Sequence, residues 1–486
     1  MRFLKHCTLL FIVFICLSCG LNKNKLLTSL PEPVQFDPPK PQTWSLSNGL
    51  KVFYLQDSEF PLVSGTLYIR GGSLWVSPEE SSQVSAMGDL LRGGGAGEYS
   101  ADALDRKLEE LSASVTSSFA DEQGAISFFS LESDFEKVFE IFSDVLLRPR
   151  FEESRLKLLK GQTLEGLRRR KDDGSTIAGL SMKELLYGRN SPYGYTFVEK
   201  DIINISRNDL VKHQKFFVKP DEAILAITGS VSRDKVQQML DKYLASWKAR
   251  GEGLGPAPMI NFEPKPAVYF VKGPFTQSTV YIAHRGPKRL SKDYMAIEVF
   301  NDVFGSGGFG SRLMESIRTQ KGLAYGVYGA IQSGVVEGKN IIAVKTKAES
   351  TGEALLASLE ELKKMQKDLI NKTELENTVR SSENSFVFRF DSPSQIIERS
   401  ALLELLDYPK DYDSGYLERL RNVTREQVLQ VAKDHWHFDK LLVVVVGNDN
   451  ALESVKTALK EPENLLADLE LVEVEFNQRL LSDAVN

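Results

Sequence analysis

GSGGFGSRLMESIRTQKGLAYGVYGA, residues 305–330, holds a glycine-rich turn, one short amphipathic helix, an arginine, and a strand with a tyrosine seven positions after that arginine. A helix starting near Ser311 puts Leu313, Met314 and Ile317 on one inward face and leaves Arg318 on its border, near the C-terminal end. The strand that follows alternates Leu323, Tyr325 and Val327 on one side with Ala324, Gly326 and Tyr328 on the other. Gly322, Gly326 and Gly329 leave room for a second backbone to come close. A planar guanidinium and a phenol delivered side by side can donate to carbonyl oxygens, to a carboxylate or to a developing oxyanion, which suits an extended peptide. The plainer alternative is a helix-end arginine that binds the last carbonyls and a strand tyrosine that fills the core. Gly305, Gly307 and Gly310 spell G-x-G-x-x-G, but a helix-like run over 294–304 stands where a dinucleotide site needs a strand.

The run GGFGSRLMESIRTQKGLAYGVYG resembles the C-terminal signature of the insulinase/pitrilysin-like zinc peptidases, the inverzincins, in order, spacing and glycines. Weaker similarity extends over roughly residues 45–460. The resemblance implies that Arg318 and Tyr325 contact substrate near the scissile bond. It also implies two sandwich-like α/β domains in one chain, closing against a second such chain or pair of domains.

Active relatives carry H-x-x-E-H on a helix of the first half, two imidazoles one turn apart on zinc and a glutamate that activates water, with a glutamate ligand on a later helix. This chain has five histidines, His6, His213, His284, His435 and His437, and none forms that motif. The equivalent region is SSQVSAMGDLLRGGGAGEYSADAL. Registered on Gly95, it puts Ala86, Asp89 and Leu90 where His, Glu and His belong; registered on Gly93, it puts Val84, Met87 and Gly88 there. The later ligand region resembles TLEGLRRRKDD, with Gly166 at the glutamate place and Glu165 beside it. His435 and His437 are two apart and could point the same way from a strand, but their counterparts in the internal repeat described next are Phe217 and Lys219, which reads as architecture. His213 lies in a repeat helix, and His284, after a strand and before Arg285, reads as a surface residue. The expectation is no metal site in this chain.

NISRNDLVKHQKFFVKPDEAILAITGS from Asn204 aligns without gaps on NVTREQVLQVAKDHWHFDKLLVVVVGN from Asn422. Each reads as a capped helix, a short connection and a buried strand ending in glycine, Ala223–Gly229 against 441–447. LYIRGG at Leu67 likewise resembles VYIAHRG at Val280. The reading is an α+β chain (α/β sandwich type) of two homologous domains, 44–250 and 267–460, each an antiparallel-rich sheet packed by helices. A Gly/Pro-rich linker, 251–266, joins them. In the first half, WSLSNGLKVFYLQD predicts a hairpin about Asn48–Gly49. The stretch 461–486 is acidic with a leucine stripe (Leu465, Leu469, Leu471) and predicts a terminal helix.

Residues 1–18 read as a signal peptide, with Arg2 and Lys5 before the apolar run 9–17, too short to span a bilayer. Cleavage before Cys19, in CLSCGLNKN, resembles a bacterial lipoprotein signal, although Cys16 replaces the usual large aliphatic residue. The alternative is an ordinary secretory signal. Residues 19–43 follow as a Pro-rich tether. The three cysteines, Cys7, Cys16 and Cys19, all lie in this region, so the rest of the chain forms no disulfide and no thiolate site. A net charge of −6, with 60 basic against 66 acidic residues, argues against nucleic acid.

The chain therefore keeps the substrate-handling half of the signature and lacks the metal half. Within the family this resembles the zinc-less partner of two-chain enzymes. The expectation is a lipid-anchored, periplasm-facing subunit, on the cell or outer membrane, that binds extended peptide and pairs as a heterodimer with a zinc-bearing insulinase-like subunit. Zinc is then the partner's cofactor. The alternatives are an inert peptide-binding or scaffold lipoprotein of the same fold and an independent hydrolase with a relocated site.

Overall fold

The structure, a computed structural model, describes residues 38–461 and 464–475. The signal segment, Cys19, most of the tether and residues 476–486 lie outside the described residues.

Among the described residues, twelve strands build two six-stranded sheets. The first contains β1 (Gln42–Ser45), β2 (Lys51–Gln56), β3 (Leu62–Arg70), β4 (Ser114–Phe119), β5 (Gln123–Leu131) and β6 (Ala223–Gly229), in the order β1-β2-β6-β3-β5-β4. The second contains β7 (Ala267–Lys272), β8 (Gln277–Gly286), β9 (Ala324–Gln332), β10 (Gly338–Lys347), β11 (Leu442–Gly447) and β12 (Leu471–Glu475), in the order β12-β7-β11-β8-β10-β9. The helices that bear on the site are α1 (Ser81–Gly93), α2 (Glu153–Arg169), α3 (Gly174–Tyr187), α4 (Arg207–Phe217), α5 (Tyr294–Asn301), α6 (Thr351–Lys367), α7 (Lys372–Phe386), α8 (Pro393–Leu405) and α9 (Arg425–His435).

The internal repeat becomes the centre of each sheet. β6 and β11 are buried along their whole length, as unbroken apolar runs demand. Each runs parallel to the first long strand of its half and antiparallel to the next, β2 and β3 in one case, β7 and β8 in the other. Each follows a helix started by a capping box, Ser206 with Asp209 before α4 and Thr424 with Gln427 before α9. The α+β arrangement of two homologous sheets read from the sequence is what the chain adopts.

The outermost strands differ. β1 is the first arm of the hairpin at Asn48–Gly49, where Gly49 has φ +93°. β12 comes from the tail and lies parallel to β7. The terminal helix expected there is therefore corrected for its described part. LVEVE alternates at period two, Val472 and Val474 pack on the sheet's apolar cluster, and the free edge of β7 supplies backbone partners that a helix would leave unused.

One face of each sheet packs on its own half's helices. The other face is covered by a helix from the opposite half. α3, through Ile177, Ala178, Met182, Leu185 and Leu186, packs on Tyr269, Val271, Ala283, Val444 and Val446 of the second sheet. α8, through Ile397, Ala401 and Leu405, packs on Phe53, Tyr68, Ile224 and Ala226 of the first. Burial of each large apolar side chain contributes about 1.5–3 kcal/mol, so the exchange is a substantial bond between the halves. Polar contacts reinforce it at the rim: Lys51 pairs with Glu404, Arg70 with Asp407 at 2.9 Å, and Arg289 with Glu122 at 2.5 Å.

Candidate functional site

α5 ends at Asn301, and the chain widens into a π-helical turn over Asp302–Ser306, a tight turn at Gly308–Gly310, and a second π-helical stretch over Met314–Gln320. The segment before the glycines is thus helical throughout, as the rejection of a dinucleotide site requires. Leu313, Met314 and Ile317 are buried as expected from the amphipathic pattern. The helix type was not legible: Lys321 N–H donates to Ser316 O at 3.1 Å, five residues back. The stretch is fastened from outside, with Arg312 bidentate on Glu374 of α7 at 2.7 and 2.8 Å and Ser316 Oγ donating to Glu361 of α6 at 2.9 Å.

Arg318 projects from this anchored stretch into solvent. Its guanidinium carbon sits 4.9 Å from the centre of the Phe309 ring, itself 69% exposed. Arg318 has no carboxylate or carbonyl partner among the described residues, so its five donors remain available. The turn to β9 uses Gly322 at φ +64°, and Leu323 N–H closes it on Ile317 O at 2.9 Å.

β9 departs from the simple alternation. Its register against β10 shifts between Lys345 and Thr346, which oppose Gly326 and Ala324, so Tyr325 is the extra residue of a bulge. The expected sharing of one face by Tyr325 and Val327 is corrected: Tyr325 is 49% exposed and Val327 is buried, because a bulge re-aims the side chain it adds. Tyr325 and Tyr328 both end up accessible. The expected close approach occurs at Gly329, where a Cβ would lie 2.5 Å from Leu313 Cδ1, and at Gly305, where it would lie 2.3 Å from Gly329 N. At Gly326 a Cβ would meet nothing within 4 Å. That opening belongs to a cavity of about 440 Å³ lined by Ser175, Tyr281, Gly305, Met314, Tyr328 and Lys345, among others. Arg318 and Tyr325 thus stand on consecutive anchored elements beside this cavity, neither side chain engaged by a hydrogen bond within the described residues.

The first half presents the region equivalent to a zinc helix. Val84 and Met87 are fully buried and a Cβ on Gly88 would lie 2.3 Å from Phe119 N, so that face of α1 is spent on packing against β4. Ala86 and Asp89 instead face α2 across a void of about 40 Å³, with Ser82 and Ser85 beside them and Leu159, Lys160 and Thr163 opposite. Desolvation pushes the Asp89 carboxyl above its ordinary range. Leu90 is buried. Glu165 does not face this void: it pairs with Arg169 at 3.0 Å on the exposed side of α2, and Gly166 opens to empty space. The wall of the void opposite Asp89 is formed instead by the Leu159, Lys160 and Thr163 face of α2. One carboxylate, two aliphatic side chains, a lysine and hydroxyls are not a zinc donor set. No group of three His, Cys, Asp or Glu able to hold a metal occurs among the described residues.

The four histidines among the described residues are structural. His284, expected at the surface, is 3% exposed; its Nδ1–H donates to Arg285 O at 2.7 Å, its Nε2 accepts from His437 N–H at 3.1 Å, and burial pushes its pKa down to about 4. Strand β8 carries it inward, against the edge of Trp436. His435 and His437 do not share a strand: His435 ends α9 and meets Asp293 at 2.6 Å, while His437 lies in the loop beyond. His213 is buried on Gln83 at 2.9 Å.

Comparison with known proteins gives a consistent picture. Residues 52–172 match the family model for insulinase (peptidase family M16), and residues 204–382 match the model for the peptidase M16 inactive domain. A curated relative from Bacillus subtilis, the uncharacterized zinc protease YmxG, is 22% identical over 84% of this chain and 98% of its own length. The non-peptidase homolog YmxG of Helicobacter pylori is 23% identical over 82% of this chain and 91% of its own. Among solved structures, a peptidase M16 inactive domain from Pseudomonas fluorescens shares the fold with a TM-score of 0.75 at 24% identity, covering 84% of this chain and 98% of that one. A protease from Helicobacter pylori does so with a TM-score of 0.72 at 18% identity, covering 84% of this chain and 99% of that one.

Proposed function

The chain belongs to the insulinase (M16) family of zinc metallopeptidases, and from that premise we propose that it is a catalytically inert member that binds extended peptide and completes the active site of a zinc-bearing relative. The observation that carries this reading is the contrast between the halves. Where active relatives hold zinc with two imidazoles and activate water with a glutamate, this chain has Ala86, Leu90 and Asp89 in the Gly95 register, or Val84, Gly88 and Met87 in the Gly93 register, while Arg318 and Tyr325 stand exposed and unengaged on anchored elements. In this reading the metal chemistry is the partner's. This chain's Arg318 and Tyr325 hold the peptide and donate hydrogen bonds to the oxygen that becomes negative as the carbonyl is attacked.

The name of the Helicobacter pylori relative, a non-peptidase homolog, supports inertness and leaves room for a second reading, a peptide-binding or scaffold protein without a catalytic partner. The test is cleavage of a mixed fluorogenic peptide library by the purified chain alone and with a co-expressed H-x-x-E-H relative, each with and without chelator. Activity only in the mixture, abolished by chelation, supports the paired enzyme. Two chains that do not associate, and no activity in either sample, overturn it in favour of the scaffold reading.

Export and lipidation at Cys19 belong to the same proposal and place the pair at an extracytoplasmic membrane surface. Labelling cells with an alkyne palmitate should mark the wild-type chain and not Cys19→Ala. An unlabelled wild-type chain would remove the anchor from the proposal.

A further inference from the structure

Two helix faces of the first half oppose each other across a gap. Ser82, Ser85, Ala86 and Asp89 fall on one side of α1, and Leu156, Leu159, Lys160 and Thr163 on one side of α2, each set at the i, i+3, i+4, i+7 spacing of a single face. Phe197, Ile202 and Ile205 close the gap from a third segment. The small side chains of Ser82, Ser85 and Ala86 leave a void of about 40 Å³ there. It opens to solvent at Ser85 and Asp89, both exposed. Ser82 is only 3% exposed, and its Oγ has no hydrogen-bond partner among the described residues. Asp89 reaches water along one side, yet desolvation raises its carboxyl pKa and no lysine or arginine offsets the effect. Lys160, the one base on the lining, is already engaged, its Nζ donating to Ile203 O at 2.8 Å. Thr163 Oγ1 donates to Leu159 O at 2.9 Å and keeps its acceptor lone pairs.

A partly desolvated carboxylate without a counter-charge favours a bound cation, and water alone would satisfy Ser82 without balancing that charge. The lining sets the class of cation. Calcium takes about six to eight oxygens and magnesium a near-octahedral set, more than one carboxylate and three hydroxyls supply. A primary ammonium carries three N–H donors, which Asp89, Ser82 and Ser85 can accept. A space little larger than one water admits that group and excludes a quaternary amine. The apolar flanks, Leu156, Leu159 and Phe197, suit the methylene next to the nitrogen. We propose that this void binds a primary ammonium group, held by the Asp89 carboxylate with the Ser82 and Ser85 hydroxyls, and carried on a lysine side chain or at the amino terminus of a peptide. The site shares no residue with Arg318 and Tyr325 and goes beyond the paired-enzyme reading, so either can fail without the other.

The experiment titrates the full chain with n-butylammonium chloride in a calorimeter at fixed ionic strength, beside 1-butanol, tetramethylammonium chloride and potassium chloride. Only n-butylammonium should bind. Asp89→Asn keeps the shape of the side chain and should weaken binding at least about tenfold. Ser82→Ala removes a hydroxyl that nothing in the fold uses, so it should keep the wild-type melting temperature and weaken binding about threefold. Competition against n-butylammonium then separates the two sources: Nα-acetyl-lysine amide displaces it if the site takes a side-chain ammonium, and alanine amide if it takes a chain terminus. Equal affinity in wild type and both variants places any bound amine elsewhere and overturns the proposal. So does potassium or tetramethylammonium binding as well as the primary amine, and so does the absence of binding by n-butylammonium, which would leave the void to water.

Discussion

Arg312 and Arg318 lie on one helical stretch and are used differently. Arg312 is locked in a half-buried fork with Glu374, so Arg312→Ala should cost about 1.5–3 kcal/mol of stability, read by denaturant unfolding. Among the described residues, Arg318 meets only the face of Phe309. Arg318→Ala and Tyr325→Phe should each lower partner-dependent turnover about 10²–10³-fold with an unchanged melting temperature, and a wild-type rate in either variant would remove it from the site. Two buried titratable groups give opposed pH dependences. His284 has a folded pKa of about 4, below its ordinary value, so the unfolded chain takes the proton first and stability is lost as pH falls from about 6.5 to 4. Glu184 on α3, 7% exposed with one oxygen unpartnered, is raised to about 7 by burial, so stability is lost as pH rises from about 4.5 to 7. Glu184→Gln should therefore match wild type near pH 4.5, exceed it by a gap that widens to about 3 kcal/mol by pH 7, and level off above. A constant gap in calorimetry across that range would show that Glu184 is not the titrating group.

The two glycines of β9 separate a packing role from an open one. Gly329→Ala drives a Cβ into Leu313 and Phe304 and should cost about 1–3 kcal/mol, whereas Gly326→Ala should leave the unfolding free energy unchanged. Equal effects in chemical denaturation would contradict the close approach of the π-helical turn to β9. At this scale the sequence was legible where a pattern is local. The inward face of Leu313, Met314 and Ile317, the capped helices α4 and α9, and the all-buried β6 and β11 follow from periodicity and capping residues. The bulge at Tyr325 and the inward turn of His284 were not legible. Both depend on what β10 and the loop at 435–437 place opposite them, and nothing within five residues of either position encodes it.

At the scale of the molecule, the gapless repeat announced two sheets of the same topology, but not the exchange of α3 and α8. Each helix has an ordinary apolar face, and a sequence does not say which of two equivalent sheets that face will cover. The exchange predicts that residues 38–250 and 267–475, expressed separately, each leave a sheet face bare and aggregate or lack fixed tertiary structure, while co-expression yields one folded species by near-ultraviolet circular dichroism. Two independently folded halves would contradict it.

The same exchange bears on how such a chain can change over generations. Its first half shows no group of three metal donors among the described residues, yet it cannot be trimmed away, because α3 roofs the sheet that carries Tyr325, and α8 needs the first sheet as its own floor. Chemistry can drift out of one half by single substitutions, whereas the half itself is retained as the mould in which the other keeps its shape.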